Sequence, residues 1–247
     1  MNRFAPILLL LLAACGTTQK LPDPAPGTGQ IVVRLEGAAR EGVRGPARED
    51  KVGEYEITSE SVEKGRDFER VNYGAIEDVV VLCSSGSGPT RQTLPIGPFG
   101  PERKQLALSL SGTEPAILQL NNRREGAQTI WAVPRDEFAG MSYEAAPALD
   151  ITVAAKGSAE LKFSLAGVYD LFCDEDEYFE CTVYVVVGGS WTGPSSEPAV
   201  FNNLNPGNYE LIVIPPRLPV QQHKATVTVG QRSEVKARLT VNTLPRK

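Results

Sequence analysis

One histidine, His223, stands in a chain of 247 residues, and that scarcity excludes more chemistry than any other property of the sequence. A trigonal copper centre wants two imidazoles and a thiolate, and one ring cannot supply them. His223 lies between Gln222 and Lys224, where a solvated loop position is expected rather than the base of a Ser-His-Asp set. HExxH, the nucleophile elbow, the P-loop glycines and the dinucleotide fingerprint are all missing. No enzyme is expected, and no cofactor or metal. Basic residues number 25 against 30 acidic and form no stripe, so nucleic acid is not an expected partner. Aromatics make up only 7 %, and beyond the first dozen residues no apolar run approaches the roughly 20 that cross a bilayer as a helix.

What is plentiful is punctuation. With 23 Gly and 19 Pro, turns must be frequent, which favours many short strands over long helices. Ile31 to Leu35 alternates as a first strand. Residues 36 to 73 are dense in mixed charge; Tyr55 and Ile57 mark a further strand, and Ser59 to Arg70 could hold a helical turn or two. Asp78 to Cys83, DVVVLC, is a β-branched run bounded by turns and suited to a buried strand, and the Gly/Pro/Ser-rich stretch from Ser84 to Pro101 reads as loop. From Leu106 the alternation is sustained. Leu106, Leu108 and Leu110 form one set, Ala116, Leu118 and Leu120 the next. Ile130 and Ala132, or else Thr129, Trp131 and Val133, form a third; Leu149, Ile151 and Val153 follow, then Leu161, Phe163 and Leu165. Trp131 and Trp191 could stack on a sugar or serve as core or rim.

The centre of the chain is Leu165 to Val187, LAGVYDLFCDEDEYFECTVYVVV. Tyr169, Leu171 and Cys173 share one face of an incoming strand, and Cys181, Val183, Val185 and Val187 one face of the outgoing strand. The tip between them, Asp174 to Glu180, is rich in carboxylates. It lacks the glycine and the ligand spacing of a calcium loop, which favours a solvated tip.

Residues 1–15, MNRFAPILLLLLAAC, place Arg3 before a short apolar core and a Leu-Ala-Ala-Cys ending. This resembles the signal and lipobox of bacterial lipoproteins, which implies cleavage before Cys15, lipidation of Cys15 and a membrane as partner. Gly16, rather than Asp, favours the outer membrane. Removing residues 1–14 takes away Arg3 alone and leaves 24 basic against 30 acidic residues, net −6.

The hairpin Gly167-x-Tyr-x-Leu-x-Cys173, its loop and its valine-rich strand resemble the copper-binding hairpin of cupredoxins. By that resemblance Cys173 stands at the thiolate place, Asp176 where a His belongs, Cys181 or Phe179 where a Met belongs, and Gln128 where the upstream His belongs. The framework is retained and the ligands are lost. Because the Cys and Met ligands of cupredoxins converge, the resemblance also implies a Cys173–Cys181 disulfide, with Cys83 as rival partner. Farther on, Phe201, Leu204, Pro206-Gly207 and Tyr209 resemble the carboxypeptidase regulatory-like and transthyretin-like modules. A bacterial family of periplasmic plastocyanin-like proteins joins the two parts in this order.

The expected protein is all-β. A signal peptide at 1–14 and a lipidated tether at 15–30 precede an N-terminal β segment with long loops at 31–104. A Greek-key cupredoxin-like sandwich at 105–188 then runs into a small carboxypeptidase regulatory-like sandwich at 189–247. The function implied is a non-catalytic binding or scaffolding lipoprotein of the outer membrane, with an envelope protein as a possible partner. The alternative is a redox or metal-handling protein using Cys173, Asp176 and Cys181. Expressed in a bacterium with a labelled fatty acid, the chain should carry the label at Cys15, and Cys15→Ser should lose it and leave the membrane fraction; a wild type without label refutes the lipobox.

Overall fold

Period-two alternation decides which side chains each strand buries, and turn length decides which neighbour it meets. The computed structural model describes residues 21–38, 71–98, 100–101, 104–138, 141–142 and 148–240. Cys15, Tyr55, Ile57 and Ser59 to Arg70 lie outside them. Among the described residues there are 18 strands and no helix, so the all-β expectation holds.

One sandwich is built from residues 91 to 186. Its five-stranded sheet runs in the order β10 (Leu149–Val153), β7 (Gln128–Arg135), β12 (Gly167–Cys173), β13 (Asp176–Val186) and β5 (Gln105–Ser109). The facing sheet runs β11 (Ser158–Phe163), β6 (Ala116–Asn122), β3 (Arg91–Gly97) and β4 (Gly100–Pro101). The core between them holds the expected sets: Leu106 and Leu108, Ala116 to Leu120, Leu161 and Phe163, with Ile130 and Ala132 as the inward pair of β7. Thr129, Trp131 and Val133 therefore face out. A minor pair, β8 (Glu137–Phe138) and β9 (Met141–Ser142), occupies the excursion after β7.

The second sandwich departs from the expected boundaries. Its sheets run β14 (Gly189–Gly193), β2 (Val79–Cys83), β16 (Gly207–Ile214), β17 (Gln221–Val227), and β15 (Ala199–Leu204), β1 (Gly29–Gly37), β18 (Arg232–Leu239). Strands β1 and β2, expected in a separate segment at 31–104, are thus central members of the C-terminal unit, while β3 and β4, in a stretch expected as loop, belong to the sandwich expected to begin at 105, because Leu94 and Ile96 alternate into its core. The first sandwich is inserted between β2 and β14 of a host sandwich. The physical reason is size: the five strands after 188 have too little apolar surface to close alone, and β1 and β2 complete their core. That core joins Ile31, Val33, Val79 and Val81 to Phe201, Tyr209, Leu211 and Leu239. Strand β1 lies parallel to β18 in unbroken register from Gln30↔Arg232 to Gly37↔Leu239. The preceding segment is tied to the same corner: Gln30 Nε2 donates to the Pro22 carbonyl at 3.1 Å, and Arg232 Nε to Gln30 Oε1 at 2.6 Å.

The four sheets stack, because β2, a buried strand as its sequence suggests, is covered on both faces. Val79, Val81 and Cys83 face the host core; Val80 and Leu82 meet Ala107, Val168, Tyr184 and Ile214 in a third cluster between the sandwiches. Strand β5, an edge of the inserted sheet, is closed by host side chains: Thr192 Oγ1 accepts from Ala107 N–H at 2.8 Å, and Ser109 and Ser190 hydroxyls meet at 2.9 Å. The chain passes from one sandwich to the other at Gly188, whose φ of 142° suits only glycine and where a Cβ would stand 2.5 Å from the Cys83 carbonyl oxygen.

Each sandwich carries the same lock. Tyr169 Oη donates to the Leu165 carbonyl at 3.1 Å and Tyr209 Oη to the Asn205 carbonyl at 2.7 Å, each four residues upstream in a Gly-x-Tyr phrase. Tyr169→Phe and Tyr209→Phe should each cost about 1 kcal/mol and add when combined, since the two rings sit in different cores. Urea unfolding of the three variants measures this; a combined loss below either single loss would contradict independent locks.

Candidate functional site

Three strand ends converge at one end of the inserted sandwich. Gln128 opens β7, Cys173 closes β12 and Asp176 opens β13. The turn before β7 is held by Asn122, which is buried and whose Nδ2 donates to the carbonyls of Gly126 (2.8 Å) and Ala154 (3.0 Å). Its Oδ1 accepts from Arg124 N–H at 2.9 Å. So fixed, Arg124 reaches back into the strand ends, and its guanidinium is the hub of the site. Nε donates to the Gly97 carbonyl at 2.7 Å, Nη1 to Gln128 Oε1 at 2.9 Å, and Nη2 to the Asp176 carboxylate. The side chains of Arg124 and Asp176 are 14 % and 13 % exposed, which makes this a largely desolvated pair.

The hairpin tip is pinned to the same place. Glu175 Oε2 accepts from Thr129 N–H at 2.7 Å and from the Cys173 thiol at 3.3 Å, and the thiol also lies 3.4 Å from Gln128 Oε1. The Thr129 amide holds the Glu175 carboxyl below the usual carboxylate range, and the Arg124 hydrogen bond does the same for Asp176. Burial pushes the Cys173 thiol up to about 11, so it stays protonated at neutral pH. Outside this group opens a hollow of about 390 Å³ lined by Pro98, Arg124, Glu175, Asp176 and Tyr178, with Tyr178 81 % exposed.

Gln128, Cys173 and Asp176, expected as a degenerate metal site, are thus brought together. Cys181 is not among them. Its register partner is Leu171, whereas that of Cys173 is Asp176, and its thiol is buried in the core, which pushes its pKa up. Phe179, also in that core, is 1 % exposed. The expected Cys173–Cys181 disulfide is not formed: Cys83, Cys173 and Cys181 are free thiols. A bridge needs Cβ atoms about 4 Å apart, and these two cysteines are diagonal rather than opposite on the hairpin, where Cβ atoms stand farther apart than that. Cys83 is buried at its strand end, as expected. His223 corrects its expectation: it is in β17 of the host sandwich rather than in a loop, half-buried, with Nε2 3.3 Å from Gln221 Oε1. Arg124 was missed by sequence reasoning; its signal was the Asn121-Asn122-Arg123-Arg124 run before Gln128.

The residues present do not fit a copper ion. An amide, a carboxylate and a protonated thiol replace two imidazoles and a thiolate, and a guanidinium stands among them. Like charges 4 Å apart repel by about 4 kcal/mol per pair of unit charges at an effective dielectric of 20, which sets Arg124 against any added cation. The acidic tip is no better a calcium loop, because Glu175 and Asp176 are spent on Thr129, Cys173 and Arg124.

No known protein family and no curated protein matches the sequence. Among solved structures the chain is weakly similar to amicyanin, a cupredoxin. An oxidised single-site variant of amicyanin is 16 % identical, with 44 % of this chain and 100 % of that chain covered and a TM-score of 0.30. A Cu(I) form of another variant gives 16 %, 44 %, 100 % and 0.31.

Arg124→Ala should destabilise the fold by about 3 kcal/mol, because it strands a buried carboxylate. A carboxyl whose folded pKa is depressed adds stability that is present above its unfolded pKa, about 3.9, and lost as pH falls through the folded value. Stability measured between pH 5 and 2 (roughly the titration range of Asp) should therefore fall less steeply in Asp176→Asn than in wild type.

Proposed function

We propose that the protein is a non-catalytic binding or scaffolding lipoprotein of the bacterial outer membrane. In this reading Cys15 carries the lipid, and a cupredoxin-like sandwich with its metal centre closed forms the body. The host sandwich, with its Phe201, Leu204, Pro206, Gly207 and Tyr209 phrase, acts as a carboxypeptidase regulatory-like module. The observation that carries the reading is the guanidinium of Arg124, hydrogen-bonded to Gln128 and Asp176 where a metal ion would otherwise organise the hairpin. A cation supplied by the chain itself gives the strand ends their geometry without redox chemistry. Partners are then to be sought among other envelope components, drawn to a net negative surface and to the open hollow beside Tyr178.

The rival, a redox or metal-handling site at Cys173, Asp176 and Cys181, has the geometry against it. Cys181 belongs to the apolar core, and Asp176 is engaged by Arg124. Titration with Cu(II), Cu(I) and Zn(II), followed by metal analysis after dialysis, should find no stoichiometric ion in the wild type. The combined variant Arg124→Ala, Gln128→His and Asp176→His should acquire Cu(II) with a thiolate charge-transfer band. One tightly held ion per wild-type chain would overturn the proposal.

A further inference from the structure

The outer face of the five-stranded sheet is covered by the host sandwich over only part of its length. Val168, Tyr184 and Ala107 are buried beneath Val80, Leu82 and Ile214. Toward the hairpin end the face is open, and there it presents Trp131 at 38 %, Phe172 at 45 % and Val133 at 41 % exposure. Trp131 and Phe172 are register partners on neighbouring strands, so their side chains stand side by side on one face. Polar groups border this strip. Asp150 is the register partner of Trp131 on the far side, and Asp170 is that of both Val133 and Thr182.

A cavity of about 220 Å³ adjoins Phe172, with Arg135, Asp170, Glu180 and Thr182 on its walls. Its polar side is already arranged. Arg135 Nε and Nη2 donate to the two oxygens of Asp170 at 2.5 and 2.6 Å, and the Thr182 hydroxyl donates to the same carboxylate at 3.0 Å. The pair is bidentate, which fixes the guanidinium plane.

A narrow apolar strip beside a rigid polar cavity selects a ligand that is itself two-faced. A pyranose ring has that form: its axial C–H groups pack on aromatic faces, while its hydroxyls donate to carboxylates and accept from a guanidinium. A protein partner needs roughly 800 Å² on each side, and three half-exposed side chains fall well short of that. A small cation would meet Arg135. We propose that this face, formed by Trp131, Phe172, Arg135, Asp170, Glu180 and Thr182, binds a neutral oligosaccharide, with sugar rings stacked on Trp131 and Phe172. This rests on the reading of the chain as a binding module, but on neither the lipid anchor nor the closed metal site, which the acyl label and the metal titration judge separately.

The test is a fluorescence titration of the full chain with tetrasaccharides of glucose, galactose and N-acetylglucosamine, and with a polylysine peptide as the contrasting probe. Trp191 packs against the host core, so a change in emission reports Trp131. At least one tetrasaccharide should give a saturable change, weakened about ten-fold or more in Phe172→Ala. The same sugar, followed by saturation-transfer NMR because the reporter is gone, should lose binding in Trp131→Ala and keep part of it in Trp131→Phe. No response to any tetrasaccharide up to about 10 mM overturns the proposal. So does sugar binding untouched by the Phe172 and Trp131 variants, or binding of polylysine alone, which would mark the face as a reader of basic peptides.

Discussion

The host sandwich can close only when β1 and β18 meet. Strand β1 must find β18 some 200 residues away, the separation spanned by the Arg34–Glu234 pair, and it must do so in parallel. Antiparallel neighbours can be delivered by a tight turn; a parallel one needs a crossover. Here the crossover contains an entire second sandwich. Contacts so distant in sequence are costly to form, which makes the inserted unit the natural first structure and the host its dependent. Strand β2 is the hinge of this dependence, because its two faces belong to two different cores.

At the hairpin end of the inserted sandwich, an arginine solves a geometric problem. Strand ends from separate turns must be held together although their backbone polarity resists burial. A planar guanidinium with donors pointing in several directions can bind a carbonyl, an amide oxygen and a carboxylate at once, and Arg124 does so with Gly97, Gln128 and Asp176. The cation comes with the chain and needs no uptake. It also leaves the neighbouring Cys173 with no stronger base than Glu175 and no metal-like acid to lower its pKa, so burial decides its state.

Much of this was legible in the sequence, and the omissions have physical causes. Alternation located many of the core strands, but it left the inward face of β7 open and did not reach β3 and β4, which lie in a Gly/Pro/Ser-rich stretch that reads as loop. The DVVVLC run announced a buried strand. Sheet membership was not legible: a buried strand reads the same whichever sheet adopts it, so β1 and β2 looked like a preface rather than part of the host. Gln128, Cys173 and Asp176 were singled out by the resemblance of the hairpin to the cupredoxin copper loop, and three strand ends do bring them together. Arg124 was not, since an arginine in a polar turn looks solvated until the Asn122 hydrogen bonds fold the turn inward. The disulfide expectation failed on register: Cys181 faces Leu171 and Cys173 faces Asp176 across the hairpin.

The parallel pairing of β1 and β18 has a mechanical side. Force entering through the segment at Leu21 and Pro22 and leaving through the end of β18 would pull two parallel strands lengthwise in opposite directions. That is shear rather than peeling, so the load falls on all eight register pairs, Gln30↔Arg232 to Gly37↔Leu239, together rather than one after another. The Arg232–Gln30 contact lies at the end where tension arrives, as a clasp ahead of the ladder. A sandwich loaded this way yields only when the whole ladder gives at once, and the load bypasses the inserted unit.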